Sequence, residues 1–502
     1  MMQTSDKQTS KSIVRNVVYG SLTWVLPLGL NLVATPVIVR SLGNNDYGIY
    51  ALILGFIGYS FTFNFGRAIT KYIAEYRSSG DERKIRDVIS ASFFISVTVG
   101  LCGVLLIGLL SGWLVRDVFG IDVEAQNRTI DAMYIASGVI FFWGLSQVFS
   151  SVLQGIQRFD VYSKIYTGTT FALISGNLAL AYAGFDLRAL LAWNLVVLLL
   201  SSIVFAIAAK KLLPEFGIHF KFERDTLWLV LRYSAGTLGY QILANILVLF
   251  ERGWITQRLG TENLTFYVVP LMLGIYLHGF IASLVLVVFP LASELKDDRE
   301  KLLKLYQKAT KVISFLVVFI VTSVVVQGST FLNLWMGEEF SRQSSALLTL
   351  HIGCFGLIAI LTVSWQMTEG LGFPQWNAAA AGVCTAIAIA LMIFLTDDLG
   401  NFGVAVARFA GFATIFLSIF FVERWFFKAV QTRFWLGLAG SLAIAAVVAG
   451  VGEYAIKSFL LASWPSLALS VVVGGLSYCG VLRALNFVTD DERILIRGIV
   501  GR

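Results

Sequence analysis

Fourteen apolar runs, each long enough to cross a lipid bilayer, follow one another along this chain with only short connections between them. They fall near 17–39, 48–70, 88–115, 133–153, 165–183, 189–209, 233–254, 264–289, 312–333, 346–367, 378–395, 404–422, 436–456 and 466–485. In hydrocarbon the backbone must satisfy its own hydrogen bonds, which leaves helices and closed barrels. A spanning helix takes roughly 20 residues and a barrel strand about 10, so runs of this length are helices. Charged residues make up 14% of the chain, against roughly 25% in soluble domains. Lipid is therefore the solvent for most side chains. The reading is an all-α integral membrane protein of about fourteen transmembrane helices.

Residues 1–16 are polar, and the run from Val17 to Val39 is too long for the core of a cleavable signal, so it is expected to span and stay. An even number of spans puts both termini on one side. Most of the 38 Lys and Arg residues lie in the connections on that side, which predicts cytoplasmic termini. The net charge of +7 sits in short clusters between apolar runs. That placement points to contact with anionic inner-leaflet lipids and away from nucleic acid. Connections 71–87, 210–232 and 290–311 read as short amphipathic helices on the inner leaflet. None is long enough for a soluble catalytic domain. Cys102, Cys354, Cys384 and Cys479 all lie in apolar stretches without metal or disulfide spacing, and His219, His278 and His351 are far apart. No metal, cofactor or catalytic group is expected, and no Gly-rich loop before a Lys suggests a fused ATPase.

The chain also repeats itself. "RSLGNNDYGIYAL" at 40–52 corresponds to "QRLGTENLTFYVV" at 257–269, aligning Leu42-Gly43 with Leu259-Gly260 and Tyr50 with Tyr267 at a shift of 217. The same shift sets Asp81 and Lys84 against Asp298 and Lys301, and "LQGIQRF" at 153–159 resembles "TEGLGFP" at 368–374. Six spans separate the copies, so the halves should run the same way across the bilayer, as parallel repeats flanking a cavity. The expected organisation is a tail (1–16), an N-lobe of six helices (17–209), a cytoplasmic linker (210–232), a C-lobe of six helices (233–422), two extra helices with their preceding loop (423–485) and a cytoplasmic C-terminus (486–502).

These residues resemble the polysaccharide flippases of the multidrug/oligosaccharidyl-lipid/polysaccharide exporter superfamily. The likeness rests on "P-x-x-V-R-S-L-G-x-x-D-Y-G-I-Y" (Pro36 to Tyr50), "F-G-R-A-I-T-K-Y-I-A-E-Y" (Phe65 to Tyr76) with Gly80-Asp81 after it, Glu251 before Leu259-Gly260, and "F-P-L-A-S-E-L" (Phe289 to Leu295). Family members more often carry Asp at the Glu251 position. The resemblance implies an O-antigen-type flippase of the inner membrane that moves undecaprenyl-pyrophosphate-linked oligosaccharide by alternating access. A polysaccharide polymerase and a chain-length regulator are its implied protein partners.

Such a path needs polar groups inside the spans. Arg252 lies about two turns from the end of helix seven and is the leading phosphate contact, with Glu251 as the group for a coupling ion. Arg67, Arg408, Asn31, Gln241 and Asn245 are further substrate-binding candidates. Gln241 and Asn245 share one face of helix seven at i, i+4. The competing structural roles are snorkelled anchors for Arg67 and Arg408 and interhelical hydrogen bonds for the amides. Glu369 and Glu453 are expected at the interface. Pro27 and Pro36 should kink helix one and are candidate hinges. A multidrug exporter of the same superfamily is the first rival reading, but arginines within spans favour an anionic substrate. A glycan polymerase or glycosyltransferase is disfavoured by the short outer connections, and a scaffold by polar residues across several spans.

Overall fold

A computed structural model describes residues 2–61, 66–219, 223–285, 288–414 and 416–487, with side chains from residue 26 onward except at 61, 235–241, 244, 290 and 374. Among the described residues there is no strand. The helices are α1 (Met2–Phe61), α2 (Gly66–Ser79), α3 (Glu82–Trp113), α4 (Val123–Gly155), α5 (Phe159–Tyr182), α6 (Leu187–Leu212), α7 (Arg224–Leu259), α8 (Thr261–Val285), α9 (Val288–Glu294), α10 (Arg299–Met336), α11 (Glu338–Gly370), α12 (Pro374–Ala413), α13 (Phe416–Phe421), α14 (Thr432–Phe459) and α15 (Trp464–Ala484).

Ten helical stretches among the described residues are long and apolar enough to span a membrane. Two of them are double. The stretch Leu26–Ser60 breaks at Gly43, and Gln375–Phe426 breaks at Gly400. With α5 and α7 this gives fourteen spans. Side chains on the outer faces are apolar, such as Leu109 at 81% and Leu476 at 70% exposure, as lipid-facing surfaces require.

The connections at 71–87 and 290–311 hold the ends of two short helices, α2 and α9, each followed by the start of a long helix. α2 runs on to Ser79, and α3 starts at Glu82; α10 starts at Arg299 and continues unbroken for 38 residues, about 57 Å. From Glu82 and from Arg299 onward the charged residues belong to the first turns of α3 and α10. The cause is capping: Asp81 accepts from the Lys84 backbone N–H at 3.1 Å and Asp298 from that of Lys301 at 3.1 Å, so a new helix begins directly after each turn. Both caps also pair with the same lysines, at 3.2 and 2.9 Å. The two copies of the repeat therefore share this local geometry. They share the Leu-Gly turn too: Gly43 has φ 79 and ψ 159, and Gly260 has φ 89 and ψ 166, a region closed to side chains with a Cβ.

By its contacts the chain forms two units, Met1–Thr265 and Phe266–Arg502. In the first, Ile69, Ile73, Ile89, Val152, Leu153 and Phe205 build a core from α2, α3, α4 and α6. Small polar residues let the helices approach: Ser202 donates to the Phe142 carbonyl at 2.7 Å, and Thr169 to the Ser201 hydroxyl at 2.9 Å. Within the second, Leu438, Leu442, Ala445 and Ala449 of α14 pack with Tyr478 and Leu482 of α15 and with Phe315 and Phe319 of α10.

Candidate functional site

The second half of α1, after Gly43, crosses α7 closely. Arg252 of α7 donates through Nη1 to the Ala51 carbonyl, and its guanidinium fills the notch left by Gly55. The same cation lies 5.8 Å from the centre of the Tyr59 ring. One face up, Asn245 donates from Nδ2 to the Tyr59 carbonyl at 2.9 Å. Arg252 and Asn245 thus meet the same stretch of α1, Ala51 to Tyr59, as their spacing of seven residues on one helix face allows. Gln241 lies one turn further along α7, and its side chain is outside the described residues. Glu251 is fully buried. The result is a guanidinium held against the main chain of α1 within a spanning segment.

The remaining sequence candidates are scattered. Asn31 donates to the Pro27 carbonyl of its own helix at 2.9 Å, which ties one proposed hinge to the amide beside it. Pro36 is buried one turn further on in α1. Arg67 is exposed in the first turn of α2. Arg408 belongs to the second unit, where it is 3% exposed and lies 5.6 and 5.7 Å from the ring centres of Phe355 and Phe412.

Other polar groups lie in the interior: Asn177, a polar residue within a span whose expected role was an interhelical hydrogen bond, has that role, whereas Asn194, Asp87 and Glu423 had no sequence signal. Asn177 donates to Asn194 at 2.9 Å, and both amides reach the Tyr50 hydroxyl at 3.4 and 3.3 Å, joining α1, α5 and α6. Asp87, 3% exposed, lies 3.2 Å from His219. In the second unit His351 is fully buried, 4.6 Å centre to centre from Tyr267. Glu423 accepts from the Trp435 indole at 2.6 Å, the Gln431 backbone N–H at 2.7 Å and the Tyr306 hydroxyl at 3.0 Å. Glu453, expected at the interface, does sit near the end of α14 but is fully buried, taking the Ser323 hydroxyl at 2.6 Å across from Gly474. Its neighbours on α10 and α15, not its depth along α14, set its burial. Glu369 accepts from the Trp365 indole at 2.9 Å on its own helix.

The motif shared with polysaccharide flippases now has local structural reasons. Asp46 pairs with Arg128 at 2.6 Å, Gly48 leaves room for the Thr261 carbonyl, and Thr265 donates to the Asn44 carbonyl at 2.6 Å. Residues 37–345 match the family model described as "Polysaccharide biosynthesis protein". The chain belongs to this family. A "Putative O-antigen transporter" of Shigella flexneri is 23% identical over 403 residues, covering 79% of this chain and 94% of that protein. Among solved structures, the lipid II flippase MurJ in an inward closed conformation matches with TM-score 0.70 at 15% identity, covering 93% of this chain and 99% of that one. An outward-facing multidrug MATE transporter matches with TM-score 0.61 at 16% identity, covering 80% and 93%. The fold is therefore that of the exporter superfamily, and these similar proteins are transporters and flippases, not enzymes.

Proposed function

We propose that this family member is a flippase that carries an undecaprenyl-pyrophosphate-linked oligosaccharide, a repeat unit of O-antigen, capsule or exopolysaccharide, across the inner membrane by alternating access. The family match, the relative from Shigella flexneri and the likeness to a lipid II flippase support this reading. The observation that carries it is Arg252, a cation held in a spanning segment by a main-chain carbonyl and a glycine notch. A fixed positive charge at that depth suits a phosphate-bearing cargo and repels the cationic substrates of a drug exporter.

In this mechanism the lobes 17–209 and 233–422 rock about a path to which Arg252, Asn245, Gln241, Asn31, Arg67 and Arg408 contribute, and Glu251 takes the coupling ion. Pro27 and Pro36 let α1 bend between states. Both termini lie in the cytoplasm, and the polymerase and chain-length regulator receive the product on the far side.

The test is deletion of the gene followed by surface-glycan analysis and complementation. Loss of a charge-assisted contact worth about 1.5–3 kcal/mol predicts roughly 10- to 100-fold less glycan for Arg252→Ala at equal membrane abundance. Glu251→Ala is expected to fall at least as far, and Pro27→Ala to slow export. Normal surface glycan in the deletion strain rejects the proposal as a whole, whereas wild-type export by Pro27→Ala rejects only the hinge.

A further inference from the structure

Glu453 lies six residues before the end of α14, and Ser470 six residues after the start of α15. At a rise of about 1.5 Å per residue both sit about 9 Å inside their spanning helices. Oε1 of Glu453 accepts from the Ser323 hydroxyl of α10 at 2.6 Å, while Oε2 is shut from solvent and has no hydrogen-bond partner among the described residues. The other polar groups at this junction are spent on main chain. Gln327 Nε2 and the Ser470 hydroxyl both donate to the Glu453 carbonyl, at 3.1 and 2.9 Å. The carboxyl fills the notch left by Gly474, where a Cβ would lie 2.8 Å from Cδ and closer still to Oε1 and Cγ.

An ionised Glu453 would hold a full charge against one neutral hydrogen bond. Lys457, one turn further along α14, is engaged elsewhere: its Nζ donates to the Val326 carbonyl at 2.7 Å and the Ser329 hydroxyl at 3.0 Å. α10 has no charged residue between Lys311 and Met336. On α15 the titratable residues are Tyr478, which donates to the Phe315 carbonyl at 3.0 Å, exposed Cys479, and Arg483 in the last turn. Tyr454, beside Glu453 on α14, is 64% exposed. Burying an ion with so little in return costs far more than burying the neutral acid. A metal ion needs a shell of several oxygens, and one hydroxyl meets this carboxyl. A proton needs a single lone pair.

We infer that Glu453 is a proton-binding site of the second unit. Oε2 carries the proton while α10, α14 and α15 are packed, and releases it when α15 moves off the carboxyl and water reaches it. Proton loss and separation of α14 from α15 are then one event. The site stands apart from the ion-coupling role proposed for Glu251, which belongs to the first unit.

The full-length protein, reconstituted in lipid, is examined by infrared spectroscopy at neutral pH in ordinary and heavy water. Wild type minus Glu453→Gln should show one carbonyl band of a protonated carboxyl, moving to lower frequency in heavy water as the proton exchanges. Ser323→Ala removes the hydrogen bond to Oε1 and should move that band to higher frequency, which covers the case in which Glu453→Gln does not fold. Raising the pH should remove the band and, after correction for intrinsic rates, speed amide exchange where α14 and α15 face each other, in wild type and not in Glu453→Gln. Absence of the band at neutral pH means an ionised, structural carboxylate and overturns the site. A band that does not shift in heavy water means a proton sealed in the fold and overturns it as well. Loss of the band on adding sodium chloride at neutral pH assigns the carboxyl to a metal ion and overturns the proton. Loss at high pH without the change in amide exchange overturns the link to helix packing.

Discussion

Gly55→Ala tests the seat of Arg252 with a single methyl group. A Cβ at Gly55 would lie 2.6 Å from the Arg252 Nε and closer still to Nη1 and Cζ, so the guanidinium must leave the Ala51 carbonyl. A charge-assisted hydrogen bond contributes about 1.5–3 kcal/mol. Replacing Gly by Ala inside a helix stabilises by about 0.5–1 kcal/mol. The difference predicts a net loss of about 1–2 kcal/mol for Gly55→Ala when Arg252 is present. In an Arg252→Ala background the clash is gone and only the helix gain remains, so the same change should stabilise by about 0.5–1 kcal/mol. The coupling between the two positions is then about 1.5–3 kcal/mol, read from a double-mutant cycle by equilibrium unfolding in mixed micelles. Glycan export should follow the same pattern for the first change, with Gly55→Ala impaired at normal membrane abundance. If Gly55→Ala shifts stability by the same amount and sign in both backgrounds, Arg252 does not occupy the notch and the site is wrongly built.

Two further outcomes follow from groups outside that seat. Glu423→Ala leaves the Trp435 indole, the Tyr306 hydroxyl and the Gln431 amide without their acceptor, at about 1–3 kcal/mol for each buried donor. The unfolding midpoint in mixed micelles should fall well below that of Glu423→Gln, which keeps one acceptor oxygen; equal midpoints would show that the carboxylate is not the hub. The Lys84 backbone N–H holds the Asp81 carboxyl below its ordinary value of 3.8, and the Lys301 side chain does the same for Asp298. Because both carboxyls are depressed in the folded chain, their capping contribution is complete above that value and fades as pH falls through the folded one. Hydrogen exchange at the first turns of α3 and α10, corrected for intrinsic rates, should be flat from neutral pH to about pH 4 and rise only below it. Asp81→Asn should remove the pH dependence at α3 while keeping the cap; a rise already at pH 5–6 would contradict the assignment.

The spans were legible because lipid imposes a length and a polarity on every crossing, and neither depends on which helix packs against which. The repeat was legible for a related reason: Asp81 and Asp298, and Gly43 and Gly260, act within a few residues of themselves through capping and φ. Helix seven yielded Asn245 and Arg252 because periodicity places them on one face. What α1 supplies to that face is main chain, at Ala51 and Tyr59, and a missing side chain, at Gly55. None of these has a residue signature. The surroundings of Asn194, His351 and Glu423 were not legible for the opposite reason, since their partners lie on other helices or loops and only packing selects them. Glu453 shows how the two scales conflict: its position along α14 is terminal, but Ser323 and Gly474 enclose it.

The residues that carry the family likeness are largely committed to holding the first unit together. Asp46 is engaged by Arg128, Gly48 by the Thr261 carbonyl, and Tyr50 by Asn177 and Asn194. Substituting any of them removes a contact within the first unit, so selection on stability alone is enough to preserve the motif. A glycan differs from another glycan in ring stereochemistry and linkage, which only groups facing the cargo can read. In the mechanism proposed above, Arg252 meets the phosphate of the cargo and recognises no sugar. On that proposal, discrimination between glycans comes from polar side chains outside both the motif and the cation, so exchanging the residues from Pro36 to Tyr50 for those of another family member is expected to leave the choice of glycan unchanged.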